Sequence, residues 1–222
     1  MPAVGAPRPF TLPATETYTL ANGLRVTLIP YGLTPKTVIS LRLPVGNIDD
    51  GADVWLSDLP VDLMREGAGG RSSAQMAEAA AAMGGGLGAG VGMHQTSFSL
   101  NVLSEHGPAA VALLADVARR PDFPAAAFER VRQNRVRSIA VARSQAQGQA
   151  DAALAAALYG ENHAYGRVYP TAEQMSAYTL DQARAFHAAR FGARGAHVYV
   201  AGQFDAAAMR QAIEAAFGDW AA

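Results

Sequence analysis

Apolar and polar residues alternate along several stretches of the chain, and each stretch predicts a strand with one buried face. The runs TYTL and LRVTLI flank Asn22-Gly23, whose backbone supplies the positive φ angles of a tight turn, so they predict a hairpin. A third strand is expected over residues 36–45, where Ile39, Leu41, Leu43 and Val45 share one face. Residues 96–103 alternate in the same way, with Thr96, Phe98, Leu100 and Val102 against Ser97, Ser99 and Asn101. The glycine-rich segment 87–93 precedes it as a neighbouring strand, and residues 196–201 form the last.

Helical periods fill the rest. Helices are expected at about 54–66 and from Ser72, where Gln75 stands in capping-box register and Gly84-Gly85-Gly86 marks the end. Further helices follow at 107–119, opened by Pro108, and at 124–158, opened by Pro124, with Gly148 as the place for a break. Thr179 and Gln182 cap a helix over 179–191, and Asp205 caps the final one, whose Met209, Ile213 and Phe217 share a stripe. Strands and helices come in blocks, which predicts an α+β fold with helices on one face of a sheet. Residues 1–15 carry four prolines and no apolar period, so they read as a flexible lead-in before a single domain over 16–222.

Half of the 222 residues are apolar and 17% are charged, the composition of a globular chain. A net charge of −1 with no strongly basic run excludes nucleic acid as a main ligand. Without cysteine there are no disulfides, thiolate metal sites or cysteine nucleophile. No apolar run reaches the ~18 residues that a transmembrane helix needs. The opening MPAVGAPRPFTLP is of the kind found after a removed signal peptide, so a bacterial periplasmic or exported protein is expected, with the cytoplasm as the alternative.

From Glu16 onward, the series LANGLRVTLIP, GNIDDGADVWLSDLPVDLMREGAGGRSSAQMAEAAAAMGGGL, FSLNVLSEH, RRPDFP, FERVRQNRVRSIAV and YGENHAYGRVYPTAEQMSAYTLDQARAFHAARF resembles the insulinase/pitrilysin (M16) peptidases in order and spacing. The resemblance implies a LuxS/MPP-like metallohydrolase domain with a largely antiparallel sheet of about six strands, as one half of a longer chain. Active members bind zinc through two histidines four apart on a helix and a distant glutamate, with a catalytic glutamate just before the second histidine. Registered on Gly67, these positions fall at Asp58, Asp62, Ser138 and Val61 respectively, and all four depart from the active pattern. Zinc prefers neutral imidazoles and keeps a fourth position for an activated water. No catalytic residue, metal ligand or cofactor is therefore expected in this chain, and zinc is expected only in a homologous partner subunit or half. Pro60 between the two aspartates predicts a motif helix that starts late or bends.

The glycines at 84, 85, 86, 88, 90 and 92 end a helix and enter a strand, the reverse of a phosphate-cradling loop. The resemblance instead implies an edge for extended peptide over Leu87, Gly88, Ala89, Gly90, Val91, Gly92 and Met93. His94, His106, His163, His187 and His197 include no pair at metal spacing on one helix. Arg130, Arg132, Arg135 and Arg137 read as a solvated basic face. The expected function is a non-catalytic wall of a peptide chamber, completed by a zinc-bearing homologue, with peptide or unfolded polypeptide as the other partner. Two alternatives stand beside it: a hydrolase that uses a different metal set or none, for example built on Asp58, Asp62 and His94, and a dimerisation scaffold.

Overall fold

The computed structural model describes residues 11–221, so most of the expected lead-in lies outside the described residues. The strands are β1 (Glu16–Thr19), β2 (Arg25–Pro30), β3 (Lys36–Leu43), β4 (Gly67–Ala68), β5 (Arg71–Ser72), β6 (Leu87–Val91), β7 (Thr96–Leu103) and β8 (His197–Gly202). Six of them form one sheet in the order β1-β2-β8-β3-β7-β6, in which only β2 and β8 run parallel. The small β4–β5 hairpin stands apart.

The helices are α1 (Asp58–Met64), α2 (Ser73–Ala82), α3 (Gly107–Arg119), α4 (Ala125–Ser144), α5 (Ala146–Tyr159), α6 (Ala172–Ala177), α7 (Leu180–Arg190) and α8 (Ala206–Phe217). They cover one sheet face, where Val26, Leu28, Ile39, Leu41, Phe98, Leu100, Val198 and Val200 are buried. The opposite face carries Arg25, Ser40, Arg42, Ser97, Ser99 and His197, which alternate with that buried set. Both the α+β class and the one-sided helical layer agree with the periodicity of the chain.

Several helix boundaries differ from the sequence reading. Capping side chains work as expected at Ser72, Thr179 and Asp205, whose oxygens accept from the N–H groups of Gln75, Gln182 and Ala208. The motif helix begins at Asp58 rather than at 54, because a 3-10 turn at Asn47–Asp50 and further turns occupy residues 47–57. Pro60 is its third residue, where a backbone N–H has no helical partner, so the proline fits the first turn. The alanine-rich stretch breaks at Gln145, which is extended with ψ 135°, and not at Gly148. Gly148 serves the turn differently: a Cβ there would lie 2.3 Å from the Ala142 carbonyl oxygen.

Candidate functional site

Asp58 and Asp62 stand one helical turn apart on α1, and both face Arg135 on α4. The Arg135 guanidinium donates to Asp62 twice, from Nε to Oδ2 at 2.5 Å and from Nη2 to Oδ1 at 2.9 Å. Its Nη1 lies 3.1 Å from Asp58 Oδ1. Asn47 Nδ2 donates to the remaining oxygen, Asp58 Oδ2, at 2.8 Å. All four carboxylate oxygens at the two motif positions are thereby taken.

Asp50 joins the cluster from the 3-10 turn. It accepts from Asn47 Nδ2 at 3.3 Å and from the backbone N–H groups of Trp55 and Ser57, each at 2.9 Å. The Trp55 hydrogen bond helps hold that residue at φ 64°, a left-handed conformation that a bulky side chain seldom adopts. The Trp55 ring then packs edge-on to Tyr169 and lies 5.9 Å from the Arg135 guanidinium carbon. Tyr178 Oη secures the same turn by donating to the Val54 carbonyl at 3.0 Å.

Burial sets the charge balance. Asp50 is 7% exposed, and loss of solvation pushes its carboxyl up to about 6 against its hydrogen bonds. Burial likewise raises Asp58, although Arg135 and Asn47 pull the other way. Burial opposes the charge on Arg135 as well, but the two aspartates outweigh it and its pKa is raised.

A cavity of about 590 Å³ opens beside this cluster, lined by Asp62, Arg65, Glu66, Met76, Asn134, Arg135 and Ser138 among others. Ser138, the position registered with the distant glutamate, lies one turn from Arg135 on α4 and bonds back to the Asn134 carbonyl. Val61, registered with the catalytic glutamate, points away into the hydrophobic core at 1% exposure. Zinc does not fit this donor set: a cationic guanidinium already bridges two carboxylates, and no imidazole is within it. Among the described residues no group of three His, Cys, Asp or Glu side chains is placed to hold a metal ion.

The arginine row does not form one solvated face. Arg135 is largely buried in the cluster, Arg130 pairs with Glu66 at 2.5 Å, and Arg132 pairs with Glu129 at 2.6 Å while donating to the Tyr178 carbonyl. Sequence reasoning therefore missed Arg135, Asn47, Asp50 and Trp55 as cluster members. The one available signal was a pair of acids four apart on a helix. The histidines each make local contacts: His94 with Tyr165 Oη, His163 with the Tyr165 N–H, His187 with the Ala118 carbonyl, His197 with Thr27 Oγ1 and His106 beside Glu105.

The lining of the cavity includes Gly86 and Leu87, where β6 begins. β6 is an edge strand, paired only with β7 over Leu87–Val91, so half of its backbone groups turn away from the sheet. A side chain at Gly90 would meet nothing within 4 Å. Gly92 and Met93 differ, because their carbonyls accept from Asn47 and Ile48, each at 3.0 Å. The open backbone of the glycine-rich segment therefore spans residues 87–91, while 92 and 93 fasten the turn that carries Asn47.

The fold has counterparts among known proteins. Residues 49–171, more than half of the chain, match the model of the insulinase family of peptidases, M16, and the chain belongs to that family. An uncharacterized zinc protease of Mycobacterium leprae is 29% identical over 202 residues, which make up 90% of this chain and 45% of the relative. A peptidase M16 inactive domain from Pseudomonas fluorescens superposes with a TM-score of 0.84 at 24% identity, covering 94% of this chain and 52% of that one. The first half of the periplasmic protease PqqL from Escherichia coli superposes at 0.82 with 15% identity, covering 93% and 46%. The chain thus spans about half the length of the curated relatives it matches.

Proposed function

We propose that this chain is a non-catalytic M16 domain that forms one wall of a peptide-holding chamber, with zinc supplied by a homologous domain or subunit. The observation that carries this reading is Arg135, which ties up both Asp58 and Asp62 where active members hold their metal. The likeness to an inactive M16 domain and the half-length match to a zinc protease support it. The fastened turn at 92 and 93 limits the docking edge to Leu87–Val91, to which extended peptide adds as a strand. Likeness to a periplasmic protease supports an exported location.

The test is peptide binding in the presence of a zinc-bearing homologue from the same organism, with wild type and Gly90→Val compared. Gly90 has space for a side chain and no positive φ, so the variant folds while its branched side chain crowds the edge. The reading expects peptide affinity to fall at least about tenfold, the loss of several backbone hydrogen bonds. Unchanged peptide handling in a folded, paired variant leaves the domain as a scaffold without a peptide edge.

A further inference from the structure

On the sheet face that the helices leave open, side chains line up in rows across the strands. One row runs Thr19, Arg25, His197, Arg42, Ser97 and Gly90, each in register with the next from β1 to β6. The row beside it runs Thr17, Thr27, Tyr199, Ser40, Ser99 and Gly88, so a line of hydroxyl groups crosses the sheet next to the basic row. Neighbouring strands lie ~4.8 Å apart, which puts Arg25 and Arg42 roughly 10 Å apart on either side of His197, within reach of one group above the imidazole.

The imidazole is a fixed platform between them. Its Nε2 lies 2.8 Å from Thr27 Oγ1, which lies 2.9 Å from Thr17 Oγ1, and its ring stacks on Tyr199 with centroids 3.9 Å apart. Burial, and after it the charge of Arg25, holds His197 below the usual histidine pKa, so the guanidinium is felt at the ring. Both arginines are exposed, and among the described residues neither makes an ion pair or a side-chain hydrogen bond. Arg71, Arg119, Arg130, Arg135 and Arg210, by contrast, each pair with an acid. The only acid in the six strands, Glu16, stands opposite Leu28 on the helical face and is taken by Arg210 of α8. Like charges on one face with no counter-charge repel each other, and a bound anion relieves that repulsion.

We infer that Arg25, His197 and Arg42, with the hydroxyl groups beside them, form an oxyanion site on the open sheet face that takes a carboxylate of an acidic peptide. The inference rests on the chamber-wall reading above and names a substrate class for it. Guanidinium groups with free donor edges match the two oxygens of a carboxylate, and hydroxyl groups add donors without adding charge. Peptide is the source because both rows end on the edge strand. Between Arg42 and the rim at β6 they carry only Ser97, Ser99, Gly88 and Gly90, so a chain docked at the edge finds no large side chain in its way. Two arginines are too few for a nucleic acid, whose affinity grows with the number of phosphates neutralised.

The experiment measures, by fluorescence anisotropy at low ionic strength, how the whole chain binds two labelled peptides: one of Thr, Ser and Val with several Glu residues, and the same peptide with Gln in place of Glu. Arg25→Gln with Arg42→Gln is compared with Arg184→Gln with Arg190→Gln, which removes the same charge from α7 on the helical side. All four positions are exposed, so folding is retained, and unfolding midpoints check it. The expected result is that wild type and the α7 variant bind the Glu peptide at least about tenfold more tightly than the Gln peptide, and that the sheet variant loses this preference. The ring protons of His197 shift in nuclear magnetic resonance spectra with the Glu peptide only. Gly90→Val lowers binding of both peptides while the preference stays, so failure of the β6 edge and failure of the arginine site are read separately. Equal affinity of the wild type for the two peptides, or no binding of either, overturns the site, as does a preference that survives in the sheet variant. A preference lost equally in the α7 variant marks general attraction by net charge and overturns it as well. Inorganic phosphate that shifts the His197 resonances when the Glu peptide does not assigns the site to a free anion and overturns the peptide as its source.

Discussion

Arg135 and Asp62 meet through two parallel hydrogen bonds, a side-on fork from Nε and Nη2 that joins α4 to α1 where active relatives would hold their metal. Two aspartates and an arginine hold these two helices together, with Asn47 closing the last carboxylate oxygen. Removing the cation strands a carboxylate on Asp58, whose side chain is only 10% exposed. Arg135→Met is expected to destabilise the fold by about 3 kcal/mol, the lower end for a broken buried pair, because Arg135 and Asp62 each keep about a quarter of their side-chain surface in solvent. Adding Asp58→Asn and Asp62→Asn should recover most of that loss, as measured by urea unfolding of the single, double and triple variants.

Restoring the family ligands alone should fail. Asp58→His, Val61→Glu, Asp62→His and Ser138→Glu together leave the Arg135 guanidinium in the space a dication would need, and it pairs with the carboxylate introduced at position 138. Adding Arg135→Gln should raise zinc affinity at least about tenfold over the fourfold variant. Pro60→Leu should add little, since Pro60 occupies the first turn of α1 without bending it. Competition titration with a metal indicator separates these outcomes.

Stability should fall as pH rises through the titration of Asp50. Burial lifts this carboxyl from 3.8 to about 6, so the folded chain retains a proton that the unfolded chain has already released. The stabilisation from that proton is complete below about pH 4 and is lost as pH passes 6, a difference on the order of 2–3 kcal/mol. Asp50→Asn, which has no proton to lose, should flatten the decline between pH 4.5 and 7. Chemical unfolding of both proteins at several pH values across that window measures the slope.

Much of the fold was legible because local chemistry agreed with it. Alternation in β3 and β7 fixed which residues face the core, and Ser72, Thr179 and Asp205 marked helix starts through their own oxygens. Boundaries were obscured where the sequence is uniform: the alanine-rich run gives no local reason to break at Gln145. The short α6, capped by Thr171 onto Gln174, went unread despite its cap. At the site, the erased ligand positions were visible but their replacement was not. An arginine repeated every two or three residues along a helix resembles a solvated face, and only the packing of α4 over α1 singles out Arg135. Trp55 gave no warning either, since its left-handed backbone depends on Asp50 and on the rings it meets in space.

The most direct measurement is the zinc content of the wild-type chain after incubation with zinc and dialysis, alongside Arg135→Gln and Asp58→Ala. An arginine seated between Asp58 and Asp62 predicts far less than one zinc per chain in all three proteins, with no change in unfolding midpoint of the wild type when zinc is added. One zinc per chain retained by the wild type and lost in Asp58→Ala would contradict the account, because it would place a metal where the guanidinium is held.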